Sequence, residues 1–247
     1  KIHLATIWLA ATGTLLSAYF ILAANAWMQH PVGYVINEAK GRAELTDIGA
    51  VLTQKTALAT FFHTIPSAAF TAGAVVAGIS AYLILKKKDA EMARPTLKVG
   101  LITVIISFVL VGVTGDVIGK VMTEQQPMKM AAAEALYKTS TGADASFSLF
   151  SWGTPDGSSE IFSVRVPYLL SFLSTHTLNG TVEGLNDLQA QYSHLYGPGN
   201  YMPIIWLTYW SFRWMIGLGA LAMLIAVVGL WLTRKGNLNL KKWHWNT

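Results

Sequence analysis

Four apolar stretches decide what this chain can fold into. They run approximately Ala5–Met28, Thr56–Leu85, Thr96–Met122 and Met202–Thr233. Each is long enough to cross a bilayer as a helix, which takes about 20 residues. In hydrocarbon every backbone N–H and C=O must find its partner within the protein, so such stretches span as helices. Charged residues make up only 13% of the chain, against about 25% in globular proteins, and the shortfall lies in these stretches. The expected fold class is an all-α membrane protein with a bundle of four transmembrane helices.

Charge sets the expected orientation. The net charge of +5 does not point to nucleic acid, because the basic residues sit in short loops beside the apolar stretches. Lys86-Lys87-Lys88 through Arg94-Pro95 is a basic loop that the positive-inside rule places in the cytoplasm. The tail with Arg234, Lys235, Lys241 and Lys242 goes with it. The segment Thr123–Tyr201 holds Glu124, Asp144, Asp156, Glu160, Glu183 and Asp187 and is expected to face outward. Three divisions follow: 1–122 with three spans, the outer loop 123–201, and 202–247 with the fourth span and basic tail.

The outer loop is too long for a simple connector. It has an alanine-rich helical start, a turn-rich middle at Ser151–Gly157, and an apolar stretch, Val166–Leu173, too short to span. Tryptophans such as Trp8, Trp27, Trp206, Trp210, Trp231 and Trp243 lie near segment ends, as in an aromatic belt. The chain has no cysteine, which excludes thiolate metal sites and c-type haem attachment. It opens on Lys1 without a cleavable signal pattern, as expected of an internal piece of a longer protein.

Ionisable residues inside apolar stretches are costly and mark function by default. His63 offers an imidazole to a haem iron, with Ala68, Ala69, Gly73 and Gly78 leaving room for a macrocycle; the alternative is a histidine bonded to a neighbouring helix. Met215 lies in Trp210-Ser211-Phe212-Arg213-Trp214-Met215. Counted from the outer ends of their stretches, His63 and Met215 sit roughly 12 and 20 Å deep. A His/Met pair fills both axial positions of a haem. The alternative for Met215 is filling a gap in a core. Arg213 needs an anionic partner, such as a haem propionate or a semiquinone, or else snorkels to the surface. Asp116 and Lys120 stand four apart and suit a helical ion pair; proton exit through Asp116 is the sharper reading.

The run Gln126-Pro127-Met128-Lys129-Met130-Ala131-Ala132-Ala133-Glu134 sets charged groups just past the third stretch. Lys129 and Glu134 are five residues apart, roughly 140° around a helix. Glu134 is a candidate general base, and Lys129 a candidate hydrogen-bond donor, for a small redox molecule that gains or loses protons. The alternative pairs Glu134 with Lys138 as an exposed ion pair.

These pieces resemble subunit I of cytochrome bd-type ubiquinol or menaquinol oxidases. The matching runs are Ala24–Gly33, Phe62-His63-Thr64, Gly115-Asp116, Gln126-Pro127-Met128-Lys129 with Ala131, Ala132 and Glu134, and Phe212-Arg213-Trp214-Met215, in family order across nearly the whole chain. The resemblance implies that His63 and Met215 are the axial ligands of the low-spin haem b, with Arg213 beside it. It implies that Lys129 and Glu134 act in quinol oxidation and that Thr123–Tyr201 is the Q-loop, in its short version. A full subunit of that family has about nine helices of spanning length. The first three and last two are missing here, and with them the expected ligands of the high-spin haem b and haem d.

The expected function is the electron-entry part of a respiratory quinol oxidase of the prokaryotic cytoplasmic membrane. It would work with quinol, the bilayer, a second oxidase subunit and small single-helix subunits, and contribute to a proton-motive force. The competing readings are a cofactor-free transporter or proton channel, and a structural membrane subunit. A transporter would often show repeats or paired broken helices, which are not visible in this sequence.

Overall fold

The computed structural model describes residues 1–154 and 159–234. Among the described residues four helices are long and apolar enough to cross a membrane: α1 (Ile2–Gln29), α3 (Lys55–Leu85), α4 (Ala90–Gln125) and α8 (Ile205–Thr233). Between α1 and α3 lie the strands β1 (Tyr34–Asn37) and β2 (Arg42–Leu45) and the short helix α2 (Ile48–Thr53). Between α4 and α8 lie α5 (Pro127–Glu134), β3 (Ser140–Thr141), β4 (Phe147–Gly153), β5 (Glu160–Val166), α6 (Leu169–Thr175), β6 (Thr181–Val182) and α7 (Leu185–Tyr196). The described residues are mostly helical, with three two-stranded antiparallel ribbons among them, β1–β2, β3–β6 and β4–β5.

The expected spans fall on these helices, though several ends move: α1 begins at Ile2 rather than Ala5, and α4 runs on to Gln125 rather than Met122. α4 begins at Ala90 rather than Thr96, because hydropathy reads only the apolar part of a helix whose charged first turns project beyond it. Pro95 sits inside that extension, where it removes the bond its N–H would have made and its ring crowds the carbonyl four residues back. α8 begins at Ile205, three residues after Met202. The turn-rich middle of the long loop is also different: Ser151-Trp152-Gly153 belong to β4. Pro155-Asp156-Gly157 lie outside the described residues, as do Lys235, Lys241, Lys242 and Trp243.

The chain forms two compact units, Lys1–His63 with Asp116–Trp206, and Thr64–Gly115 with Leu207–Thr247. In the second, α3 and α4 are joined by Lys86–Asp89, a tight connection with Lys87 and Asp89 at positive φ. Their crossing is close. A Cβ on Gly100 would meet the Ala77 nitrogen at 2.7 Å and the Gly73 oxygen at 2.9 Å. Small residues let membrane helices approach in this way and gain dispersion contacts in place of the hydrophobic effect. Ala77, Leu97, Leu101, Val104 and Ala226 form the core beside that crossing.

The first unit holds the long loop. Its core gathers Met130, Leu136, Ala145, Leu170 and Val182, so the apolar stretch expected near Val166–Leu173 is in part a core element, with Leu170 fully buried. α7 is tied to this core through its N-terminal amides. Those of Leu185 and Asn186 donate to the carbonyls of Leu136 and Tyr137 at 2.8 and 3.0 Å, satisfying donors that a helix start leaves open. The start of α3 and the end of α4 are joined by a Thr56–Gln125 hydrogen bond and a Lys55–Glu124 ion pair at 3.9 Å.

Candidate functional site

α5 is built to present one group inward and another outward. Pro127 opens it, where a missing N–H costs nothing. Ala135 closes it in the left-handed region at φ 47, a conformation that costs a non-glycine residue roughly 1 kcal/mol or more. Met128 and Met130 to Glu134 are buried, whereas Lys129 is exposed. Lys129 and Glu134 therefore point to different environments, as their angular separation requires.

Glu134 is only 2% exposed. This overturns the exposed ion pair with Lys138: the helix ends at Glu134, and the left-handed Ala135 breaks the spacing that sets i and i+4 on one face. A buried carboxylate persists where donors meet it. One donor is the backbone N–H of Ser148, 3.4 Å from Glu134 Oε2. A cavity of about 220 Å³ lies against the start of α5, lined by Thr123, Pro127, Met130, Thr181, Val182 and Glu183. For scale, a cavity of about 150 Å³ takes a benzene ring.

Asp116 does not act through the expected helical pair with Lys120. Its Oδ2 meets Nε2 of His176 at 3.0 Å, with both side chains part-exposed. His176 ends α6 and lies sixty residues away in sequence, beyond the reach of any periodicity argument. Arg165 on β5 was missed for the same reason. Its guanidinium meets the carbonyls of Ala135 at 2.8 Å and Ser146 at 3.2 Å, and the Glu160 carboxylate at 2.8 Å. A further contact missed by sequence is Asp187 Oδ2, which accepts the Thr139 N–H at 2.8 Å. The hydrogen bonds from Thr139, through side chain and backbone, hold the Asp187 carboxyl below its ordinary range.

His63 is the ninth residue of α3, about 12 Å along its helix at 1.5 Å per residue, and is half-buried. The later start of α8 puts Met215 about 15 Å along its own helix rather than 20. Met215 is 56% exposed, so it fills no gap in the core of this chain. Arg213 lies over the Tyr209 ring, 4.7 Å from its centroid, and 5.1 Å from that of Phe212. Gly73 does not leave room for a macrocycle: its absent Cβ would meet the Gly100 oxygen and Thr103 at 3.0 Å, so its smallness serves the crossing with α4. Gly78 does face open space.

Among the described residues no group of three or more His, Asp or Glu side chains is placed to hold a free metal ion. A haem needs less from the protein, because the macrocycle supplies four donors and the chain only axial ones. Imidazole and thioether are donors that haem iron accepts. Each taken by itself, the exposed Met215 thioether and the half-buried His63 imidazole are donors of that kind.

A family model for cytochrome bd terminal oxidase subunit I matches residues 1–247. Cytochrome bd ubiquinol oxidase subunit 1 of Bacillus subtilis (strain 168) is 39% identical over 244 residues, covering 99% of this chain and 52% of its own length. Cytochrome bd-II ubiquinol oxidase subunit 1 of Escherichia coli (strain K12) is 25% identical over 297 residues, covering 98% of this chain and 58% of its own. The solved bd oxidase from Geobacillus thermodenitrificans is similar in structure with a TM-score of 0.81 at 27% identity, covering 100% of this chain and 54% of that one. The chain spans about half the length of the curated relatives it matches.

Proposed function

The chain belongs to the family of cytochrome bd terminal oxidase subunit I, and from that membership we propose that it is the electron-entry part of a respiratory quinol oxidase. Its four apolar helices make it a multi-pass membrane protein, of the prokaryotic cytoplasmic membrane. The acidic segment 123–201 is the Q-loop on the outer face, between the spans of 1–122 and the fourth span with its cytoplasmic tail in 202–247. Quinol reaches it from the bilayer, and a second oxidase subunit with small single-helix subunits completes the complex. The oxygen-reducing high-spin haem b and haem d take their ligands from outside this chain.

Oxidising a quinol releases two electrons and two protons. Glu134 removes a proton as general base, and its burial keeps the carboxylate away from bulk water, where it would exchange protons indiscriminately. Lys129, exposed on the other side of α5, binds a ring oxygen and orients the head group. Asp116, held by His176, passes protons outward. His63 and Met215 would hold the low-spin haem b as axial ligands, with Arg213 beside it. When bound, that haem would supply one-electron transfer. Electrons moving inward while protons leave outside contribute to a proton-motive force.

The buried carboxylate of Glu134 carries this reading most, because a cost of that kind is borne at functional sites. It is tested in the complete oxidase by quinol-driven oxygen uptake, with an artificial electron donor to the haem as control. Glu134→Gln should lower turnover by about 10²- to 10⁴-fold, the usual contribution of a general base. Lys129→Ala should chiefly raise the quinol concentration required, by about tenfold or more for a lost charged hydrogen bond. Both variants should keep the low-spin haem spectrum. Wild-type quinol kinetics in both would remove these residues from the site.

A further inference from the structure

Glu134 carries its carboxylate at the last residue of α5, next to a left-handed alanine. Such a turn leaves the carbonyls of Glu134 and Ala135 without intrahelical donors. Arg165 reaches both, through Nη2, at 3.5 and 2.8 Å. Its Nη1 donates to the Ser146 carbonyl at 3.2 Å. Two residues on, Ser148 gives its N–H to the Glu134 carboxylate, and Ser148 is the residue paired with Arg165 across the β4–β5 ribbon. One guanidinium therefore bonds the backbone that carries the carboxylate and the backbone that carries its donor.

We infer that Arg165 is a positioning residue for Glu134, fixing the carboxylate's place and its Ser148 hydrogen bond from behind. This rests on Glu134 being the base for quinol. The guanidinium itself is held from two further sides. Nη2 pairs with Glu160 Oε1 at 2.8 Å, and Nε donates to Ser163 Oγ at 3.2 Å. Glu160 in turn accepts a hydrogen bond from Ser151 on β4 at 2.9 Å. The side chain is 17% exposed, so its charge is screened less than a surface arginine's. Lysine keeps the charge but has one nitrogen in place of the planar fork, so it cannot reproduce the separate Nη1 and Nη2 bonds to the two segments.

The test is a double-mutant cycle in the complete oxidase with Arg165→Lys, Glu134→Gln and both together, read by quinol-driven oxygen uptake and by the artificial-donor rate. Arg165→Lys should lower quinol turnover by about 10- to 100-fold, as small misplacements of a catalytic group do. The artificial-donor rate should stay within about twofold of wild type. In the Glu134→Gln background Arg165→Lys should add no further loss, because coupled residues are non-additive. Losses that multiply, a fallen artificial-donor rate, or wild-type turnover in Arg165→Lys would each overturn the inference and leave the base reading of Glu134 standing. Wild-type turnover in Glu134→Gln overturns the base reading itself, and the positioning role with it. Should Arg165→Lys fail to assemble, Glu160→Gln takes its place in the cycle. It keeps the guanidinium and removes its ion pair, and the same pattern of losses decides.

Discussion

Nε2 of His176 stands 3.0 Å from a carboxylate oxygen of Asp116, tying the segment after α6 to the span α4. Both side chains are more than a third exposed, and exposed ion pairs contribute about 1 kcal/mol or less to stability. A strut of that strength does not explain a large loss of function. The expected outcome is that Asp116→Asn and His176→Gln each lower quinol turnover several-fold, as coupled parts of a proton exit, while thermal inactivation of the complex barely changes. Unchanged turnover in Asp116→Asn would reduce the pair to a tether.

The α3–α4 crossing ranks three glycines. A methyl at Gly100 meets backbone atoms at 2.7 and 2.9 Å, at Gly73 a backbone oxygen and a threonine at 3.0 Å, and at Gly78 nothing within 4 Å. Overpacking of this kind costs about 1–3 kcal/mol. Thermal inactivation should therefore be fastest for Gly100→Ala, intermediate for Gly73→Ala, and near wild type for Gly78→Ala. Equal behaviour of all three would contradict the close crossing.

Asp187 gives the loop an acid limit. Its folded carboxyl titrates below its unfolded value because Thr139 donates to the charged form. The contact therefore contributes stability above the unfolded value of about 3.9 and loses it as pH falls through the lower folded one. Exchange at the Thr139 amide, corrected for intrinsic rates, should lose protection only under acid. Asp187→Asn, which accepts the same bond without titrating, should show no such step. The same acid step in Asp187→Asn would assign it elsewhere.

The four spans were legible because long apolar runs have one solution in a bilayer, and only their ends shifted, at Ile2, Ala90, Gln125 and Ile205. The ribbons were not. β4 and β5 are seven residues each, and Phe162-Ser163-Val164-Arg165-Val166 alternates as a strand does, a signal that the turn-rich reading of the loop passed over. The candidate residues could be named from the sequence, but not their surroundings. Glu134 read as half of a local pair with Lys138, and its burial follows from a left-handed alanine and from Ser148 and Arg165, 14 and about 30 residues away. Asp116 likewise exchanged a neighbour four residues off for His176. Short-range spacing names partners that the helix periodicity allows; the chain's long-range closure chose others.

In the proposed function His63 and Met215 hold the low-spin haem b through which quinol electrons enter. The most direct measurement is the reduced-minus-oxidised visible spectrum of the complete oxidase carrying His63→Ala, beside wild type and Met215→Leu. A vacated axial position can no longer give a six-coordinate iron. The expected result is loss of the sharp low-spin haem b band in His63→Ala and its loss or displacement in Met215→Leu, with the haem d signal retained. A full low-spin band in His63→Ala would contradict the assignment and send the search for the electron-entry ligand elsewhere.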